Sequence, residues 1–239
     1  MTLEHEHTVE AIQARLNSGI KPNYIRDWVY GGIDGAVTTF AIVAGVVGAN
    51  LSSGIILVLG LANLLADGLS MAASNYSGTK SEVDDADRLR EIEKKHIDQV
   101  PVGEREEIRQ ILIQKGLEGD VLDDATNAII ANEKIWIETM LVDEYGVSPV
   151  IRKPMNSALA TFFAFVLCGA VPLLPFLTPI PQPFIVASVF TGIVFFAIGS
   201  MKSRWSLATW WYSGLETLII GSGAAGVAYI VGYLLKGLA

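Results

Sequence analysis

The chain has 239 residues, of which 51% are hydrophobic, and its mean hydropathy is +0.43. Values this high are unusual for a soluble domain and indicate a membrane protein. The net charge of −8 argues against a nucleic-acid or anionic-lipid binding function, since both need positive charge.

Residues 1–26 form a polar segment that lacks the apolar region of a cleavable signal peptide. A short interfacial helix is predicted over residues 9–16, ended by Gly19 and Pro22. His5 and His7 could contact a metal, with a mobile terminus as the alternative.

Residues 28–50 and 54–77 are each long enough to cross a hydrocarbon core, which takes about 20 apolar residues as helix. The first run carries Asp34, with Asp27 two turns before it and Thr38 one turn after it, all on one helix face. A charged side chain at mid-bilayer costs about 2.5–3.5 kcal/mol, so it is expected to face a partner, a pathway or water.

The second run carries a matching polar stripe, because Asn63, Asp67, Met71 and Asn75 recur every four residues. The polar stripes of the two transmembrane helices at 27–79 are therefore expected to face each other. Carboxylate, amide and thioether groups in one cleft suit a divalent metal. The alternatives are interhelical hydrogen bonding for the polar residues and simple packing for Met71.

An acidic insert follows at 80–150, since 18 of the 25 acidic residues lie between Glu82 and Glu144. Its pattern predicts three amphipathic helices over 82–97, 104–115 and 120–145.

Three pairs of potential metal ligands recur at helical spacing in this insert, and the first has the Glu-x-x-His spacing of carboxylate metal sites. The pairs are Glu93 with His96, Glu104 with Glu107, and Met140 with Glu144. Their convergence would suit Fe²⁺ or Mn²⁺. Taken singly, the charges are explained as solvated surface and Met140 as a core residue.

Three more apolar runs, 155–174, 184–201 and 207–235, occupy the last segment, 151–239, and give five spans in total. Basic residues cluster on one side of these spans, which places the N-terminus and the insert in the cytosol. Glu216 in the last run is either a pathway carboxylate or a solvated one. Small residues such as Gly31 and Gly35 predict close packing between helices or between subunits.

The predicted fold class is therefore all-α: a polytopic membrane protein of five transmembrane helices with an inserted cytosolic three-helix metal-binding domain. Several motifs resemble the vacuolar iron transporter family from residue 26 onward. They are RDWVYGGIDGAVTTFAIVAGVVGAN, GLANLLADGLSMAASNYSGTKSE, GEREEI, ETMLVDEYG, SALATFFAFVLCGAVPLLPFL and ETLIIGSGAAGVAYIVGYLL.

The resemblance implies a homodimer that moves Fe²⁺, and often Mn²⁺, out of the cytosol in exchange for protons. It implies that Asp34 and Met71 line the translocation path and that Asp27 lies at its cytosolic entrance. It further implies metal binding by the cytosolic residues that match the family pattern. Those residues are Glu93, Glu104, Glu107, Met140 and Glu144.

Three positions depart from the family pattern. Asn63 stands where a Glu is common, Asp67 where a small residue is usual, and His96 where a Glu occurs. These departures bear on metal preference and proton coupling.

The sequence thus predicts a proton-coupled Fe²⁺ or Mn²⁺ transporter, with the metal as substrate, no organic cofactor and no enzymatic activity. A prokaryotic plasma membrane is the predicted location. The alternatives are a membrane-anchored di-iron ferroxidase, or a metal buffer or sensor that performs no transport.

Overall fold

A computed structural model describes residues 5–150 and 152–237, and within these ranges all regular secondary structure is helical, as predicted. The α-helices of this described part are α1 (Val9–Asn17), α2 (Ile25–Gly48), α3 (Ser53–Gln99), α4 (Pro101–Gln114), α5 (Gly119–Ile130), α6 (Glu133–Asp143), α7 (Pro154–Ala170), α8 (Pro183–Lys202) and α9 (Trp210–Leu235). Short 3₁₀ segments, Val171–Leu177 and Ser203–Trp205, follow α7 and α8.

Five of the helices in the described ranges are long and apolar enough to cross a membrane, which confirms the predicted number of spans. They are α2, α3, α7 with its 3₁₀ extension, α8 with its 3₁₀ extension, and α9. The helix predicted near the N-terminus is also present, as α1.

The chain divides into two compact units. The apolar unit comprises Asn23–Gly78 and the residues from Pro154 onward, and the acidic unit comprises Thr79–Lys153 with the N-terminal residues up to Pro22. Helix α3 contributes its first part to the apolar unit and its second part to the acidic unit.

Helix α2 is the centre of the apolar unit, where it packs against α7, α8 and α9. Gly31 and Gly35 allow the close approach to α7, because a Cβ at either position would collide with the backbone of Thr161 or Phe165. The small-residue motif of the first span therefore serves packing between helices of one chain.

The acidic unit has its own hydrophobic core, formed where α4, α5 and α6 meet. Ile108, Leu112, Leu122, Trp136 and Met140 are buried together there. Their helical spacing explains why this charge-rich segment folds, since each helix turns one apolar stripe inward.

Three boundary predictions in this region were wrong. The helix predicted over 120–145 is two helices, because Asn132 accepts hydrogen bonds from Lys134 N (3.1 Å) and Ile135 N (3.2 Å) and so caps α6. The described residues of the insert therefore hold four helical segments rather than three. The segments at 54–77 and 82–97 form one continuous helix, and α4 begins at Pro101 rather than at residue 104, with the proline in its first turn.

Candidate functional site

Three predicted ligands come together in the acidic unit: Glu93, His96 and Glu104. One potential ligand atom from each lies within 4.8 Å of the others. His96 Nδ1 is 3.9 Å from Glu93 Oε1 and 3.5 Å from Glu104 Oε1. The sequence explains this arrangement, because α3 ends at Gln99 and Pro101 starts α4 at once, which returns Glu104 to the last turns of α3.

The two carboxylates of this cluster are deeply buried. Glu93 is 0% exposed and Glu104 is 4% exposed, and the Oε2 atom of each has no hydrogen-bond partner. The His96 side chain is 45% exposed, so the cluster is open on the imidazole side. A buried carboxylate oxygen without a partner is costly, and a bound cation would remove that cost.

Burial and neighbouring charge shift the titration of this cluster. The pKa of Glu104 rises to about 7, chiefly because burial penalises its charged form, and further because Glu107 and Glu93 are negative and the Glu93 side chain accepts a hydrogen bond from the protonated Glu104 carboxyl. The pKa of Glu144 is raised by burial and then by Glu107 and Glu93, while His96 acts in the opposite direction. The predicted ligands Glu107 and Glu144 are exposed residues. Their negative charges interact with those of the buried carboxylates Glu93 and Glu104.

Met140, the remaining predicted ligand, is 0% exposed and lies in the hydrophobic core of the acidic unit. Its backbone oxygen accepts a hydrogen bond from the Glu144 amide at 2.9 Å. Its role as a thioether ligand remains a prediction.

Sequence reasoning missed one contributor to the cluster, Tyr145, whose hydroxyl donates a hydrogen bond to Glu93 Oε1 at 2.9 Å. Tyr145 directly follows the predicted ligand Glu144 and precedes Gly146. That position beside a ligand and at a helix end was the available signal.

In the apolar unit, the polar stripes of α2 and α3 meet at Asn75, as their periodicity predicts. Asn75 Nδ2 donates to Asp27 Oδ1 at 2.9 Å. Asp34 and Asp67 lie farther along the same two helices.

Asp27 is only 4% exposed and belongs to a network with α7. Asn75 Nδ2 also donates to Thr161 Oγ1 at 2.7 Å and to Ser157 O at 3.2 Å. This network fixes the Asp27 carboxylate where α2, α3 and α7 meet.

The other predicted pathway residues are less constrained. Asp34 lines a groove of 640 Å³ together with Arg26 and Lys202. The buried Nδ2 atom of Asn63 has no hydrogen-bond partner, and Met71 is half-buried. The hydroxyl of Thr38 bonds to the backbone oxygen of Asp34 at 2.9 Å, so it is used within its own helix.

Glu216 forms an ion pair with Lys202 at 3.0 Å, and its side chain is 50% exposed. Of the two interpretations of this residue, the structure favours the solvated carboxylate.

These features define the class: an all-helical, multi-pass membrane protein with intramembrane carboxylates and an acidic helical unit after its second span. The chain belongs to the VIT family, whose model matches residues 25–233. This confirms the resemblance seen in the motifs.

Several relatives support the assignment. The chain is 36% identical over 208 residues to "Vacuolar iron transporter" of Centaurea cyanus, covering 86% of this chain and 85% of the relative. It is 35% identical to "Vacuolar iron transporter 1" of Arabidopsis thaliana (86% and 83%) and 30% identical to "Vacuolar iron transporter" of Toxoplasma gondii (90% and 75%). These relatives are named as transporters rather than enzymes, in agreement with the prediction. They are eukaryotic and named as vacuolar, so they do not support the predicted prokaryotic plasma membrane.

Proposed function

We propose that this protein transports a divalent metal, Fe²⁺ with Mn²⁺ as a second substrate, out of the cytosol in exchange for protons. The names of the relatives support iron as the substrate. The observation that carries the proposal is the pair of carboxylates, Asp34 and Asp67, on two membrane-spanning helices that are joined by the hydrogen bond from Asn75 to Asp27. Two carboxylates are a costly choice there unless a cation passes them.

The acidic unit is proposed to be cytosolic and to capture the metal. Glu93, His96 and Glu104 supply oxygen and nitrogen ligands, and the partnerless Oε2 atoms are suited to a cation. Glu107 and Glu144 add negative charge that attracts the ion, and Met140 is proposed as a thioether ligand from the core side.

The apolar unit is proposed to carry the ion across the membrane as one half of a homodimer. Asp27 forms the entrance, and Asp34, Asn63, Asp67 and Met71 replace the hydration shell in turn. Protonation of a pathway carboxylate weakens its hold on the metal, so a proton entering from the far side releases the ion and returns in its place.

Flux into proteoliposomes tests the proposal, with Fe²⁺ and Mn²⁺ compared with and without an inside-acid pH gradient. We expect gradient-dependent flux in the wild type and its loss in Asp34→Ala. Glu216→Gln is the matched control, because it also removes a carboxylate from a span but one that is paired with Lys202, and it should retain flux.

The same preparation discriminates the alternatives. Oxygen consumption with Fe²⁺ and no flux would establish a ferroxidase, whereas tight metal binding with neither flux nor oxygen consumption would establish a buffer. Flux that survives in Asp34→Ala would refute the proposed pathway.

A further inference from the structure

Tyr145 makes an asymmetric contact with the buried Glu93 carboxylate. The phenol donates to Oε1 at 2.9 Å, whereas Oε2 is buried and has no hydrogen-bond partner. One oxygen of Glu93 is therefore occupied by a protein donor and the other is left for a ligand.

The backbone at the end of α6 holds Tyr145 in this position. Gly146 has φ +67°, the left-handed conformation that ends many helices, and Val147 N bonds back to Leu141 O at 2.8 Å. The chain thus turns immediately after Tyr145, and the direction of the side chain is set by the helix end. The ring is 40% exposed, so the contact with Glu93 is not imposed by close packing on every side.

The occupied oxygen restricts how Glu93 can bind a metal. A donor on Oε1 withdraws charge from that atom and uses one of its two lone pairs, which makes Oε1 the weaker ligand of the two oxygens. The unoccupied Oε2 is then the preferred ligand atom, and binding through it alone is monodentate. One carboxylate oxygen of Glu104 and a nitrogen of His96 complete a set with one atom per residue.

This ligand set discriminates between divalent ions. Ca²⁺ takes six to eight oxygen ligands and commonly uses carboxylates through both oxygens. Fe²⁺ and Mn²⁺ accept mixed nitrogen and oxygen ligands. We propose that Tyr145 is a specificity-determining residue, which holds Glu93 monodentate and thereby disfavours Ca²⁺ relative to Mn²⁺ and Fe²⁺ at the acidic unit.

The inference rests on the proposed function insofar as the cluster is a capture site for the transported metal. Its test is the ratio of Ca²⁺ to Mn²⁺ affinity in the full-length protein in detergent. Free Mn²⁺ is followed by electron paramagnetic resonance, and Ca²⁺ is added as competitor. Glu93→Gln identifies the part of the binding that belongs to the cluster.

We expect Tyr145→Phe to weaken Mn²⁺ binding about tenfold, as is typical for loss of a group that orients a metal ligand. Ca²⁺ binding should stay the same or tighten, so the Ca²⁺ to Mn²⁺ affinity ratio rises about tenfold in total. Tyr212→Phe is the control, because that ring is exposed and contacts Trp211 in the apolar unit, and it should leave the ratio unchanged.

If Tyr145 had a merely structural role, Tyr145→Phe would weaken the binding of Mn²⁺ and of Ca²⁺ by the same factor. An unchanged or lower ratio in Tyr145→Phe overturns the inference, as does the absence of Mn²⁺ binding that depends on Glu93. A second measurement needs only the wild type and Glu93→Gln: the infrared carboxylate bands induced by Mn²⁺ should show monodentate Glu93, and bidentate bands would also overturn the inference.

Flux measured on the same protein separates this inference from the proposed function. Wild-type flux with an unchanged ratio overturns the role of Tyr145 alone. A shifted ratio without flux supports the role of Tyr145 and overturns the transport proposal.

Discussion

Metal binding by the acidic unit should depend on pH through Glu104. The pKa of this carboxyl is raised to about 7, so about half of the metal-free molecules hold a proton there at neutral pH. The ion must displace that proton to bind. Between pH 8 and pH 6 the ionised fraction falls from about 0.9 to about 0.1, which predicts about tenfold weaker Mn²⁺ binding at pH 6.

Titration calorimetry in buffers of different ionisation enthalpy measures the protons released on binding. Glu104→Gln removes this proton and keeps the shape of the side chain. The wild type should therefore release more protons than the variant, by about 0.9 at pH 6, about 0.5 at pH 7 and about 0.1 at pH 8. Equal proton release at pH 6 would refute the assignment of a proton to Glu104.

The same raised pKa predicts a pH dependence of stability without metal. The native state holds a proton that the unfolded chain releases, so the free energy of unfolding falls as pH rises from 4.5 to about 7 and is flat above that range. Glu104→Gln should remove this fall, as measured by thermal unfolding in detergent with a chelator present. A fall of the same size in the variant would assign the effect to other groups.

Three further substitutions test the packing and the ligands. Gly35→Ala should lower stability by about 1–3 kcal/mol in thermal unfolding, because its Cβ meets the α7 backbone, whereas Gly226→Ala, with open space around it, should not. Met140→Leu should change stability by less than about 1.5 kcal/mol and should weaken Fe²⁺ binding more than Mn²⁺ binding. If the binding of both ions is unchanged, Met140 is a core residue and not a metal ligand. Asn75→Ala should raise the KM for Mn²⁺ flux and lower stability by about 1–3 kcal/mol, because buried Asp27 loses a hydrogen-bond donor. A variant with the wild-type KM and the wild-type stability would contradict the role of this network.

The membrane part of the fold was predictable because its signals are local and periodic. Apolar length predicted five spans, and four-residue spacing put Asn75 on the stripe that contacts Asp27. A three-residue spacing placed Glu93 beside His96, since residues three apart also share a helix face.

The features that the sequence did not indicate depend on the three-dimensional surroundings of the residues. The change from apolar to charged residues near Lys80 contains no proline, and α3 continues through Gly78 where a boundary was expected. Asn132 is an ordinary helix residue until its side chain caps α6. The contact between Tyr145 and Glu93 joins residues far apart in sequence, and no periodicity reports such a pair.

The hairpin between α3 and α4 has a consequence for the order of assembly. Glu93, His96 and Glu104 all lie within residues 93–104, so closing the loop between them costs little conformational entropy. The three candidate ligands are synthesised together, before the last three spans exist. As the proposed capture site they are available to an ion early in synthesis, whereas Tyr145 follows later in the chain and adds its proposed restriction only once α6 has folded.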